Sequence, residues 1–363
     1  MERYNRHIIL SEIGQTGQNK LSKAKVLVVG AGGLGCPILQ YLTAAGVGTL
    51  GVIDFDIVEA SNLQRQVLYG TSSLGKNKAE AAKNRLLDLN DTICINAYSE
   101  RLTFQNAIDL FDQYDIIVDG TDNFETRYLI NDACVITHKP LVFGAIYKFQ
   151  GQVSVFNHDN GPTYRCAFPN KPKKDTVPND SEVGVIGVLP GIIGTLQANE
   201  VLKIILEIGK VLSGKLLFYD ALTNQTTVLS IKKSEVEIQK ALTHKNNFHE
   251  QQFENSCGNY LEVSIKDILN KENFQFIDVR ELHEQPKVVG VPVTKIPLGE
   301  LENYLEKVST DKEKAIFCES GIRSRQAVSI LKQNNIHDCY SIKDGALEIN
   351  RYIKELHKQV ANE

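Results

Sequence analysis

Glycines, carboxylates and cations gather in three stretches of this 363-residue sequence, and their spacing suits the handling of a nucleotide. The first is VLVVGAGGLGCPI, residues 26–38, where an apolar run leads into Gly30, Gly32, Gly33 and Gly35 and a helical pattern follows. Glycines let a backbone approach phosphate oxygens, and the helix start behind them offers free N–H groups and a positive dipole end. Asp54 follows a second apolar run, at the place where an acidic residue commonly binds ribose hydroxyls. So far a dinucleotide-dependent oxidoreductase fits as well as an ATP enzyme, because the glycine motif recurs across unrelated chemistries. IDFDIVEASNLQRQ, residues 53–66, then adds Asp56, Asn62, Arg65 and Gln66, and Lys78 opens the next helical pattern. An arginine and a lysine at that place suit a triphosphate, whose β and γ groups carry charge that must be neutralised. DGTDNFETR, residues 119–127, ends a strand pattern with two carboxylates. Asp122 is placed there to hold Mg²⁺, which bridges phosphates and keeps several waters. Each charge taken alone reads as a solvated surface residue; clustered at the strand ends of one sheet, they favour an ATP site.

A fourth stretch suits sulfur chemistry. AIFCESGIRSRQAVSIL, residues 315–331, reads as strand, short loop and helix, with Cys318 opening the loop and Arg323 closing it. Loop N–H groups, the helix N-terminus and Arg323 would together stabilise a thiolate, the nucleophilic form of cysteine. The plain alternative is a buried cysteine at a strand end.

The elements that must position these residues follow from the hydrophobic pattern. Strand patterns at residues 26–29, 50–53, 116–118, 141–143 and 153–156 alternate with helical patterns at 76–89 and 124–137. Such alternation predicts an α/β fold, a Rossmann-like and mostly parallel sheet wrapped by helices. The polar, weakly patterned segment 232–256 marks a boundary, giving a first domain over 1–240, a linker over 241–258 and a smaller α/β domain over 259–363 with strands at 276–278, 315–317 and 339–342. Residues 166–184 contain three prolines, several charges and little apolar content, as in an irregular loop lying over a site.

Composition sets the outer bounds. The net charge of −4 gives no global electrostatic case for nucleic acid or membrane binding. No run of about 18 apolar residues predicts a membrane span, and the charged start MERYNRHIIL lacks a signal-peptide core. A cytoplasmic location is therefore expected. The seven cysteines, Cys36, Cys94, Cys134, Cys166, Cys257, Cys318 and Cys339, form no CxxC pair and read as buried thiols with one reactive exception.

RYNRHIIL, GAGGLGC, IDFDIVEASNLQRQ, the GKNK helix start at 75–78, DGTDN and GVLPGIIGTLQANE occur in this order over residues 1–230. Together they resemble the adenylyltransferases of the MoeB, ThiF and HesA family, relatives of ubiquitin-activating enzymes that activate small ubiquitin-like sulfur carrier proteins. The resemblance implies a homodimer with an eight-stranded or similar sheet. It implies ATP over the glycine loop with Asp54 on the ribose, Arg65 and Lys78 on the phosphates, and Asp122 on magnesium. Asn62, Gln66, Asp56 and Asn123 would supply further polar contacts, and Arg6 would reach into the partner subunit's site as an arginine finger. The substrate would be a β-grasp carrier ending in Gly-Gly.

The second domain resembles the rhodanese sulfurtransferases. Its Cys-x4-Arg loop is shorter than the Cys-x5-Arg cradle that phosphatases use for phosphate, and FIDVRE (276–281) and KIPLGEL (295–301) accompany it. Cys318 would then carry a sulfane sulfur taken from a sulfur donor. The segments VVGVPVTKIPL (288–298) and DGALEIN (344–350) depart from that family's pattern.

Two departures concern the first domain. Many relatives bind structural zinc through two CxxC pairs; here TYRC (163–166) keeps one cysteine of the first pair, so no structural zinc is expected. Relatives fused to a second domain often carry a loop cysteine where PNDSEVGV (178–185) places Asp180, and a carboxylate cannot form a persulfide or thioester link. A dinucleotide-dependent oxidoreductase and a non-catalytic scaffold that docks a carrier protein are the rival readings.

Overall fold

The computed structural model describes residues 2–172, 184–251, 262–269, 273–319 and 321–360. The chain divides into two compact units, Met1–Phe253 and Glu254–Glu363.

Among the described residues the first unit is built on an eight-stranded sheet in the order β3-β2-β1-β4-β5-β6-β7-β8. Strands β1 (Lys25–Val29), β2 (Thr49–Ile53), β3 (Cys94–Tyr98), β4 (Ile116–Asp119) and β5 (Leu141–Tyr147) pair in parallel. Strands β6 (Gln150–Phe156), β7 (Lys215–Asp220) and β8 (Gln225–Ser230) continue it antiparallel. The chain order reverses between β1 and β4, whose ends align Val29 with Asp119. A crevice at the carboxyl ends of the strands is the ordinary ligand place in such sheets.

Both faces of the sheet are covered at its central strands, which explains why β1 reads as continuous apolar sequence, whereas the edge strand β8 is exposed along its length. Val26 and Val28 join one core cluster with Ile38, Leu42, Leu189 and Ile193. Leu27 and Val29 join the other with Phe111, Leu129, Phe143 and Phe156.

Among the described residues the α-helices of this unit are α1 (Asn5–Ile8), α2 (Gly14–Lys23), α3 (Gly35–Ala45), α4 (Lys78–Leu89), α5 (Ala107–Phe111), α6 (Phe124–Ile136), α7 (Tyr164–Ala167), α8 (Val188–Leu206) and α9 (Glu235–Thr243). Helix α8 is long and apolar enough, by length and composition, to cross a membrane. It packs instead against α3, β5 and β6, burying Leu189, Ile193 and Val201.

The division between the units falls inside the expected linker 241–258. The segment expected to begin a linker at 241 is folded onto the first unit. Ser234 caps α9 by accepting a hydrogen bond from the Glu237 N–H, Ala241 is fully buried, and Phe248 packs edge-on against Phe104 with ring centroids 5.1 Å apart. Ala241, Leu242 and Phe248 scattered in a polar run leave too little periodic signal to read as a packed element.

The second unit is a five-stranded parallel sheet among the described residues, ordered β11-β10-β12-β13-β9. Its strands are β9 (Glu262–Val263), β10 (Phe274–Asp278), β11 (Val293–Lys295), β12 (Glu313–Phe317) and β13 (Cys339–Ile342), with helices α10 (Ile265–Ile268), α11 (Ile322–Gln333) and α12 (Ala346–Val360). Two apolar clusters fill it, one containing Ile277, Ile316, Val328 and Leu331, the other Phe276, Phe317, Ile342 and Ile353.

Candidate active site

The glycine loop leaves β1 through Gly30, which has a φ of 92° and donates its N–H to the Ile53 carbonyl at 2.9 Å. A Cβ on Gly35 would stand 2.0 Å from the Gly30 oxygen, so α3 begins too close to the loop for any other residue. The buried Tyr69 hydroxyl lies between the Ala31 carbonyl (2.8 Å) and the Lys78 carbonyl (3.1 Å), joining the loop to the start of α4. Tyr69 carries no spacing signal, and sequence reasoning missed it.

Asp54 holds the loop from the next strand. Its Oδ2 accepts the Ala31 N–H at 2.8 Å and its Oδ1 accepts the Asp56 N–H at 2.9 Å. Burial pushes this carboxyl upward, and the two N–H donors work against that shift. Each oxygen keeps further lone-pair capacity for a sugar hydroxyl. Asn77, also missed, secures the neighbouring turn: its Nδ2 donates to the Asp54 and Asp56 carbonyls at 3.0 and 3.2 Å, and its Oδ1 caps α4 at the Glu80 N–H.

Lys78 is 7% exposed, and its Nζ lies 3.2 Å from Asp56 Oδ2. Asp56 is thus the lysine's partner in this structure, with half of its side chain exposed. Asn62 is buried and its Oδ1 accepts the Glu59 N–H at 3.1 Å, closing a capping turn. Arg65 is half-buried, donates from Nη1 to the Ser61 carbonyl at 3.1 Å, and has its Cγ beside Gly33. Gln66 is 4% exposed, sits beside Gly32, and has an Oε1 without a hydrogen-bond partner. Pro190, in the first turn of α8, also abuts Gly33.

Across the crevice, β4 ends in Asp119 and delivers Asp122 as an exposed carboxylate. Asn123 is the N-cap of α6 and accepts the Thr126 N–H at 2.9 Å, so its Oδ1 serves the helix. The structure therefore gathers Gly30, Gly32, Gly33, Gly35, Asp54, Arg65, Gln66, Lys78 and Asp122 around the point where strand order reverses. Arg6 is exposed on α1 and makes no hydrogen bond or ion pair with these residues among the described ones.

In the second unit Cys318 follows β12 and is fully buried, its Sγ 3.6 Å from Ser324 Oγ. Ser324 in turn lies 2.9 Å from Ser341 Oγ and donates to the Gly321 carbonyl at 3.0 Å. Gly321 has a φ of 77° where the loop turns into α11. Arg323 does not simply face the sulfur: its two Nη atoms bind Glu284 at 2.5 and 2.9 Å, and this pairing holds the Glu284 carboxyl down to about 2. Arg280, 2% exposed, is forked onto Asp278 and reaches Glu319 at 3.4 Å. Ser320, Cys257 and Asp180 lie outside the described residues. Cys166 Sγ accepts the Ser234 and Thr163 N–H groups at 3.3 and 3.4 Å.

A glycine loop at the switch point of an open sheet, with Arg65 and Gln66 beside its glycines and Asp54 bonded to its Ala31 N–H, is the ligand place of a doubly wound α/β domain, here followed by a parallel-sheet unit with a loop cysteine. The ThiF family profile matches residues 4–240, and the chain belongs to that family. It is 52% identical over 239 residues to the sulfur carrier protein adenylyltransferase of Thermus thermophilus, covering 64% of this chain and 88% of that protein. It is 38% identical over 368 residues to the probable adenylyltransferase/sulfurtransferase MoeZ of Mycobacterium tuberculosis, covering 94% and 91%. To the adenylyltransferase and sulfurtransferase MOCS3 of Culex quinquefasciatus it is 40% identical over 353 residues, covering 90% and 81%. Among solved structures, Escherichia coli MccB with ATP superposes at a TM-score of 0.54 with 24% identity, over 60% of this chain and 67% of that one, a likeness of fold.

Proposed function

We propose that the first unit adenylates the C-terminal glycine carboxylate of a small ubiquitin-like sulfur carrier protein, and that the second unit delivers sulfur to it through Cys318. The observation that carries this reading is the convergence of the glycine loop, Asp54, Arg65, Lys78 and Asp122 on one crevice in a chain aligned along its length with adenylyltransferase/sulfurtransferases.

ATP lies over the glycine loop, with Asp54 on the ribose and Arg65 and Lys78 on the phosphates. A polyphosphate would draw Lys78 away from Asp56, since that carboxylate is half-exposed and readily hydrated. A single exposed carboxylate fits Mg²⁺, which takes most of its shell from phosphate oxygens and water; held by Asp122, the ion would offset the charge of the leaving pyrophosphate. A carboxylate oxygen of the carrier's Gly-Gly tail attacks the α-phosphorus, the bond to the bridging oxygen breaks, and pyrophosphate departs. The product is an acyl-adenylate, whose AMP is a far better leaving group than oxide.

Cys318, loaded with a sulfane sulfur from a donor, then attacks the acyl carbon through its terminal sulfur. AMP leaves and an acyl disulfide forms on Cys318. Release as a thiocarboxylate takes a second thiol, which attacks the Cys318 sulfur; the carboxylate of Asp180 cannot serve. Arg6 completes the crevice of a second copy in a homodimer.

ATP–pyrophosphate exchange that depends on a Gly-Gly-terminated carrier tests the first step. Exchange without any carrier requirement, or none with a panel of such carriers, would count against the reading.

A further inference from the structure

Three buried polar side chains beneath the crevice take no part in the chemistry described above. Asp119, Arg127 and Gln197 are 1%, 8% and 0% exposed and come from β4, α6 and α8. Asp119 Oδ1 accepts the Thr121 N–H at 2.9 Å and the Thr121 hydroxyl at 2.6 Å. Arg127 donates from Nη2 to the Thr121 carbonyl at 3.0 Å, and Gln197 donates from Nε2 to the Asp119 carbonyl at 2.7 Å. Both backbone polar groups of Thr121 and its hydroxyl are thereby tied.

The remaining atoms of the cluster are left short. Arg127 Nε and Asp119 Oδ2 form an ion pair at 3.6 Å, too long for a hydrogen bond, and neither of these buried atoms, nor Gln197 Oε1, has a hydrogen-bond partner. An arginine beside a buried carboxylate ordinarily closes a two-pronged fork. Here the fork is forgone, and one arm goes to the Thr121 carbonyl. Buried groups held off their best partners are a sign of a geometry kept for use.

The geometry being kept is that of Asp119-Gly120-Thr121. The Gly120 N–H donates to the Val29 carbonyl at 2.8 Å, and a Cβ on Gly120 would stand 2.9 Å from the Gly30 oxygen. This segment is pressed against the root of the glycine loop, and Asp122 is the next residue. We infer that Arg127 and Gln197 are positioning residues that fix how Asp122 leaves β4, and so where its carboxylate stands over the glycine loop. This inference rests on Asp122 being the magnesium-binding carboxylate. Gln197 also ties α8 to this segment, and α8 reaches the other side of the loop through Pro190 and Gly33.

The test is binding of a fluorescent ATP analogue to the full-length chain, with magnesium and with EDTA. The variants are Asp122→Asn, Arg127→Lys, Gln197→Met and the two double variants that include Asp122→Asn. Arg127→Lys keeps a cation beside Asp119 but loses the arm that spans to Thr121, and Gln197→Met keeps volume while losing the donor. Thermal unfolding of each variant shows that it is folded. Each single variant is expected to weaken magnesium-dependent binding about tenfold while leaving EDTA affinity within about twofold. Neither should add to the effect of Asp122→Asn, because coupled residues are not additive. Magnesium tightening retained in both folded variants, or effects that add to Asp122→Asn, would overturn the positioning role. If Asp122→Asn itself leaves the magnesium dependence unchanged, the assignment of Asp122 falls, and this inference falls with it.

Discussion

Cys318 sits fully buried at the end of β12 with a hydroxyl pair, Ser324 and Ser341, behind its sulfur. Its chemistry stands apart from the nucleotide crevice, so Cys318→Ser should abolish sulfur transfer from thiosulfate to cyanide and leave ATP–pyrophosphate exchange unchanged; a colorimetric thiocyanate assay checks this. The nearby Glu284 carboxyl falls from 4.5 to about 2 because Arg323 donates to it. A depressed acid stabilises the fold above its unfolded value and loses that contribution as pH falls. Stability should therefore drop between pH 4.5 and about 2, and Glu284→Gln should flatten that part of the acid-unfolding curve. Asp54, Arg65, Lys78, Asp122 and Cys318 stand out in the sequence because charge or nucleophilicity just after an apolar run or at a helix start is unusual in itself; their roles belong to the proposed function. Tyr69 and Asn77 do not, because a tyrosine and a helix cap look ordinary until the fold brings Ala31 and Asp54 to them. Glu284 was missed for the same reason: its partner lies 39 residues away.

At the scale of elements, the glycine loop works because α3 starts against it. In Gly35→Ala the new methyl carbon meets the Gly30 oxygen at 2.0 Å, so the loop must shift. ATP affinity should fall tenfold or more, about 1.4 kcal/mol, as read by calorimetry; unchanged affinity would remove the loop from the site. The central parallel strands were legible because they are buried on both faces, which makes β1 a continuous apolar run. The segment after 240 was not, since Ala241, Leu242 and Phe248 are few and scattered in a polar run, and Gln105 ties it through backbone carbonyls of His249 and Gln251 that leave no sequence signal. Phe248→Ala should cost about 3–5 kcal/mol in unfolding of the first unit, measured by chemical denaturation. A loss below about 1 kcal/mol would return that segment to linker status.

The whole molecule joins two α/β units with different chemistry on one chain, and tethering raises the local concentration of a persulfide around an acyl-adenylate. Both units were readable as α/β from strand spacing, whereas the partner carrier and a second copy of the chain entered only through the family resemblance, since neither leaves a mark in residue spacing. The central claim is that the crevice between β1 and β4 splits ATP between its first and second phosphorus atoms. Carrier-dependent ATP–pyrophosphate exchange measures this directly. The expected result is exchange in the wild-type chain that falls at least about a hundredfold in both Arg65→Ala and Asp122→Ala. Exchange undiminished in either variant, or absent from the wild-type chain supplied with ATP, magnesium and carrier, would contradict it.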